Sequence, residues 1–226
     1  MNTMILKVQL TLEEDLLGTA PGNPELLATH LAKKSGVDPQ RDELEAAAAG
    51  RTLSTVVEQE EQQSMTFFPK TPEGLPFIYD YQIKGFFKDA CGALRRAKVK
   101  APKAKKGEEQ EADGSGGFRS EKLTAYKKEI DGLIFVKPRR ILLAIPDGME
   151  MGICERPLRA QTAQGERVAL ARSESAPAGT TIRFEIHLLK DRLAMLVREW
   201  LDYGQFRGLG QWRNSGKGKF SWEEVE

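Results

Sequence analysis

The sequence predicts an α+β fold in which an antiparallel sheet carries two helices on one face. Two segments, Met4–Leu12 and Thr181–Leu189, alternate apolar and polar residues as half-buried strands do. Two others, Tyr81–Arg96 and Asp191–Tyr203, repeat apolar residues at the helical spacing. Shorter strands are predicted at residues 65–68, 133–136, 140–145 and 219–222, with a strand and hairpin across 157–174.

The predicted elements contain the order β-α-β-β-α-β, which is that of a ferredoxin-like or RRM-like unit. A length of 226 residues suits one such domain, 1–226, with additions. Residues 25–61 are interpreted as a helical insertion after the first strand. Residues 98–120 are basic at first, then acidic and glycine-rich, which is typical of a flexible low-complexity loop.

The overall charge does not indicate a partner. Lys plus Arg (34) nearly cancels Asp plus Glu (33), so any signal for nucleic acid must come from the distribution of charge. The two cysteines form no CxxC pair, so we expect neither a zinc site nor a disulfide framework. Reduced thiols fit a cytoplasmic location best. We expect no cofactor. We also expect neither a secretory signal nor a membrane span.

The most informative stretch is residues 206–220, here called the glycine-rich loop. It combines four glycines with four cations directly after the last predicted helix. Glycines let a backbone approach phosphates closely, and arginine presents a flat fork of donors that matches phosphate. Trp212 or Phe220 could stack on a base. The alternative interpretation is a glycine-rich hairpin whose cations are merely solvated.

A second stretch, Gly74–Lys88, completes a resemblance to a known family. It is similar to the motif G-x-P-x-I-P-x-S-S-x-K-G-x-x-R that leads into the first helix of RAMP superfamily proteins, the RRM-like subunits of CRISPR effector complexes. Lys88 stands where arginine is usual, and residues 79–82 depart from the motif. The glycine-rich loop also resembles that family's C-terminal loop. The positions that match in place are Gly74, Pro76, Ile78, Lys84 and Gly85.

The resemblance implies a backbone-type subunit of a ribonucleoprotein in antiviral defence. Such subunits hold a guide RNA by its phosphates, and the partners implied are that RNA, a complementary target, other subunits and copies of the same chain. The 25–61 insertion would be a thumb-like element that reaches a neighbouring subunit. The RNA-binding residues expected on this basis are Lys84, Lys88, Arg95, Arg207, Gly208, Gly210, Trp212, Arg213, Gly216, Lys217, Gly218 and Lys219.

Three alternatives stay open. An endoribonuclease of the same fold would use Asp113 or His30, although a solvated turn aspartate and a surface histidine are the favoured interpretations of these residues. A structural assembly protein would use only protein partners. Single-stranded DNA could replace RNA, because the glycine-rich loop shows no element that reads a 2′-hydroxyl.

Overall fold

The computed structural model describes residues 3–21, 65–97, 117–162 and 165–225, with the backbone alone for 158–162 and 165–169. The predicted insertion at 25–61, most of the predicted loop at 98–120, and both candidate catalytic residues, His30 and Asp113, lie outside the described residues. Within those residues, no helix is long and apolar enough to cross a membrane.

The predicted α+β architecture with an antiparallel sheet is confirmed. In the described part of the chain the main sheet has six strands in the order β11-β1-β10-β7-β5, and β6 also pairs with β10. All the pairs in it are antiparallel. The strands are β1 (Met4–Leu12), β5 (Phe77–Tyr79), β6 (Ile134–Lys137), β7 (Arg140–Ala144), β10 (Thr181–Leu188) and β11 (Phe220–Glu224).

Alternation along β1 and β10 separates the two faces of this sheet. Leu6, Val8 and Leu10 of β1 are buried, and they lie opposite Ile186, Phe184 and Ile182 of β10 in the register, which are buried as well. Because side chains alternate in a strand, the intervening polar residues point to the other face. The hydrophobic core therefore lies on one side of the sheet.

Three α-helices in the described residues cover this apolar face: α1 (Asp80–Arg96), α2 (Tyr126–Leu133) and α3 (Leu193–Arg207). The predicted helical stripe of residues 81–96 becomes the buried side of α1, which includes Phe87 at 0% exposure beside Trp200 of α3. The sequence predicted two of these helices and missed α2. That helix has only 8 residues and buries only Ile130 completely, so it is too short for the sequence to show a convincing apolar stripe.

The predicted loop at 98–120 gives way to regular structure before its expected end. Arg119–Lys122 form a 3-10 helix, and Ser120 is fully buried. The carboxylate of Glu199 on α3 accepts hydrogen bonds from the Arg119 and Ser120 backbone N–H groups, at 2.6 and 3.0 Å. Trp200 donates its indole N–H to the Ser120 hydroxyl. These long-range contacts, which composition does not reveal, fix the segment on α3.

A second sheet has five strands in the described residues. Its order is β2-β9-β4-β3, and β8 also pairs with β9. β8 (Gly152–Thr162) and β9 (Gly165–Ala176) form a long hairpin, which confirms the predicted strand and hairpin in this region. The short strands are β2 (Leu16–Leu17), β3 (Ala20–Pro21) and β4 (Thr66–Phe67). The base of the hairpin lies against the glycine-rich loop, since Arg156 of β8 is hydrogen-bonded to Gln211.

Candidate nucleic-acid interface

The glycine-rich loop is folded back on itself and on the end of β1. Leu209 donates its backbone N–H to the Gly218 carbonyl at 2.8 Å, and Gly218 donates to the Asp15 carbonyl at 2.9 Å. A Cβ at Gly208 would lie 2.6 Å from the Lys217 carbonyl oxygen, and one at Gly218 would overlap the Leu209 carbonyl. Both glycines also have φ near +75°, at 77° and 74°. Close packing of the loop backbone therefore requires glycine at these two positions.

Two arginines of the loop converge on one carboxylate of α1. Arg213 Nη1 lies 2.7 Å from Asp89 Oδ2, and Arg207 Nε lies 3.3 Å from the same oxygen. Arg207 also donates from Nη1 to the side-chain oxygen of Asn214 at 2.6 Å. The triad of two arginines and Asp89 carries a net charge of +1. Each guanidinium has five N–H donors, so both keep donors that these contacts do not use.

The lysines at the end of the loop lie in a different environment. Lys217 Nζ is 3.0 Å from Asp15 Oδ2 and 3.7 Å from Glu14 Oε2. The hydrogen bond to Asp15 raises the pKa of Lys217 above its ordinary value. Its charge is therefore balanced within the chain. The backbone carbonyl of Lys219 accepts a hydrogen bond from the Glu13 N–H at 2.8 Å. Gly216, between the two lysines and Arg213, ends a short 3-10 helix with φ of 86°.

A cleft of about 190 Å³ separates the glycine-rich loop from α1. Gln82, Gly85 and Asp89 line it from α1, at a spacing that places them on one helix face. Gly85 is exposed, and a Cβ built on it would meet no heavy atom within 4 Å. The other lining residues are Leu16, Leu17, Thr19, Phe68, Ile78, Phe86, Leu209, Gly210 and Arg213.

The three basic residues predicted on α1 lie on another side of that helix, about 120° around its axis from the cleft at 100° per residue. Lys84 donates to the Asp131 carbonyl at 3.2 Å, and Lys88 lies 2.6 Å from the Asp131 carboxylate. Arg95 lies over the Tyr126 ring at 5.0 Å. Burial lowers the pKa of Lys84. These residues therefore face α2, and they do not share a surface with the glycine-rich loop.

Trp212 marks the outer edge of the glycine-rich loop, where it contacts a residue that the sequence did not single out. It adopts the left-handed conformation, with φ of 55°, and is 38% exposed. Its ring lies 5.2 Å from Cζ of Arg156, a buried residue on β8. Arg156 donates from Nη2 to Gln211 at 2.8 Å. A single arginine within a strand carries no distinguishing pattern in the sequence. Only the contact between the hairpin and the glycine-rich loop shows that Arg156 lies beside Trp212.

Metal-ligating side chains do not gather at one place in the described part of the chain. No cluster of three or more His, Cys, Asp or Glu side chains that could hold a metal ion occurs there. His187 lies 3.0 Å from the Glu185 carboxylate on the same strand, so it is part of a surface pair on β10.

Comparison with known proteins returns similar structures and no sequence relatives. No family model and no curated protein sequence matches the chain. Solved structures do resemble it. One is a chain of the cryo-EM structure of the Type III-B Cmr-beta bound to cognate target RNA, with 14% identity and a TM-score of 0.47 over 99% of this chain. Another belongs to a Type IV-B CRISPR complex, with 11% identity and a TM-score of 0.48 over 98% of this chain and 90% of that one. The chain spans 60% of the length of the Cmr-beta chain.

Proposed function

We propose that this chain is an RNA-binding, backbone-type subunit of a CRISPR-like ribonucleoprotein effector complex, acting in the cytoplasm. The resemblance of residues 74–88 and of the glycine-rich loop to the RAMP superfamily supports this proposal. So does the strand order β11-β1-β10-β6, with α1 between β1 and β6 and α3 between β10 and β11, from which we infer a ferredoxin-like unit. The ligand surface would be the cleft between α1 and the glycine-rich loop.

The observation that carries the proposal is Gly85. A glycine inside a helix costs about 1 kcal/mol relative to alanine. At Gly204 of α3 the packing explains the glycine, because a Cβ there would lie 2.7 Å from the Phe86 ring. At Gly85 nothing within the described residues lies in the way. A ligand backbone that approaches α1 closely through the cleft accounts for a glycine at that position.

The arginine triad supplies a cationic group of fixed geometry beside this glycine. Asp89 orients Arg207 and Arg213 without neutralising both of them. Side chains held in this way lose less conformational entropy when they bind a phosphate. Their unused N–H donors match the bidentate geometry of phosphate oxygens. We therefore assign phosphate contact to these two arginines and a packing role to Gly208 and Gly218.

The β8–β9 hairpin favours association with protein subunits in the same assembly. Ile153, at the base of the hairpin, is 60% exposed, and Leu170, midway along it, is 58% exposed. Exposed apolar residues that form a contiguous patch mark protein contacts, and these two lie on the same face of the hairpin. Other subunits or copies of this chain are therefore proposed as partners in addition to RNA.

The first test is co-purification. The protein is isolated at low salt, its ultraviolet absorbance ratio is recorded, and sizing is repeated after separate RNase and DNase treatment. Co-purified RNA whose removal reduces large particles to monomers is the expected result. Nucleic-acid-free protein that stays large after both treatments would favour the assembly protein with protein partners only.

The second test assigns binding to the arginine triad. Arg213→Gln should weaken binding of single-stranded RNA by about tenfold or more, because a charged hydrogen bond contributes roughly 1.5–3 kcal/mol. The slope of log affinity against log salt should fall by about 0.7 per lost phosphate contact. Arg198→Gln is the matched control, because Arg198 is 31% exposed and forms an ion pair with Glu224 away from the cleft. Equal losses in both variants would contradict the assignment.

A further inference from the structure

Arg156 is a buried cation with an unused donor. It is 8% exposed, and its Nη1 atom is sealed from solvent without a hydrogen-bond partner among the described residues. Its Nη2 atom donates to Gln211, and no carboxylate lies within ion-pair distance of it in the described part of the chain. A buried donor left without an acceptor is unfavourable, and a buried charge without a counter-charge more so. Folding alone gives no reason for this arrangement.

Trp212 covers this cation in an unusual backbone conformation. Its φ of 55° is the only positive value at a residue other than glycine in the described chain. The indole lies over the guanidinium at 5.2 Å, which is within the range of a cation–π contact. The side chain is nevertheless 38% exposed. The fold therefore holds a partly open aromatic ring directly above a cation that lacks an anion.

We propose that Arg156 and Trp212 bind one nucleotide of a single-stranded nucleic acid. A phosphate oxygen accepts a hydrogen bond from Arg156 Nη1, and the base stacks on the Trp212 indole. Nη1 has no exposed surface and the indole lies over the guanidinium, so we expect the indole to move aside before the phosphate reaches Nη1. This assignment rests on the proposed function and adds a contact outside the cleft that contains Gly85.

The chemistry of the two side chains selects this ligand. A guanidinium with a free donor requires an oxygen acceptor, preferably an anion. An exposed indole requires a flat partner, and stacking on a base is tolerant of sequence. Gln211, which accepts from Arg156, is itself held in place, because its amide nitrogen lies within hydrogen-bond distance of the Gly18 carbonyl and the hydroxyls of Thr66 and Ser173. A single phosphate beside a single base satisfies both side chains.

The experiment measures binding of a short fluorescein-labelled oligouridylate by anisotropy. Trp212→Asn should weaken binding by roughly tenfold, because stacking on one base is worth about that factor. Arg156→Lys, which keeps the charge and loses the fork, should weaken it by about tenfold as well. Asparagine tolerates the left-handed conformation, so the Trp212 variant should melt no lower than the wild type. Arg172→Lys is the control, because Arg172 lies on the facing strand and pairs with Glu155 at 2.6 Å.

Movement of the indole is tested by fluorescence in a Trp222→Phe background. That background keeps Trp212 and the fully buried Trp200. Unlabelled oligouridylate should quench the emission, and Arg156→Lys should reduce the quenching.

Wild-type affinity in both variants, or unchanged emission, would overturn this assignment and leave the proposed function standing. A wild-type protein that binds no RNA would overturn both.

Discussion

Replacement of Gly85 by alanine separates the needs of folding from those of binding. The position is exposed in the middle of α1, and an added methyl group meets no atom within 4 Å. Alanine should therefore stabilise the helix by about 0.5–1 kcal/mol. For a domain of this size, 1 kcal/mol corresponds to a rise in Tm of roughly 2–4 °C. The same methyl group projects into the cleft, where overpacking against a bound RNA should cost about 1–3 kcal/mol.

Two measurements on the Gly85→Ala variant distinguish a role of this glycine in folding from a role in binding. Thermal unfolding followed by circular dichroism reports stability, and anisotropy with labelled RNA reports affinity. The expected result for Gly85→Ala is a higher Tm together with affinity reduced about fivefold or more. Higher stability with unchanged affinity would refute the assignment of the cleft. A lower Tm would show that folding itself needs the glycine.

Three further predictions concern the fold. Gly204→Ala should lower the free energy of unfolding by about 1–3 kcal/mol in urea titrations, because its methyl group would overlap the Phe220 ring. The raised pKa of Lys217 means that its pairing with Asp15 stabilises the fold fully below the ordinary lysine pKa, near 10.4, and is lost as pH rises through the folded value. Lys217→Gln should therefore flatten the loss of Tm above about pH 10. Burial raises the pKa of Cys91, so thiol reagents should modify Cys154 and leave Cys91 intact until the protein unfolds.

The parts of the fold that the sequence predicted are those whose burial follows a period. The alternation in β1 and β10, and the apolar stripe of α1, report directly on which face is buried. Short elements carry too few residues to show a period. This is why α2 and the 3-10 helix at Arg119–Lys122 were missed: tertiary contacts hold them, such as that of Arg192 with Glu129 of α2 and that of Glu199 with Ser120 of the 3-10 helix.

The candidate site was predicted from the composition of the glycine-rich loop, and composition does not show which side chains pair with one another in the fold. Arg213 and Asp89 are 124 positions apart, and Lys217 and Asp15 are 202 apart, so no local pattern could reveal that these charges are paired. Arg156 was missed for the same reason. Its significance comes from Trp212 and Gln211, which contact it across two separate parts of the chain.

The structure changes which residues argue for a ligand. Glycines and cations in the glycine-rich loop first suggested RNA, yet Gly218 is required by the loop's own backbone and Lys217 is neutralised by Asp15. Each has an explanation within the fold, so neither distinguishes a binding loop from an ordinary hairpin. Gly85 and Arg156 have no such explanation, since one costs helix stability without a packing reason and the other leaves a buried donor unpaired. Because selection tolerates such costs mainly at functional sites, these two positions are where variants discriminate best between the alternatives.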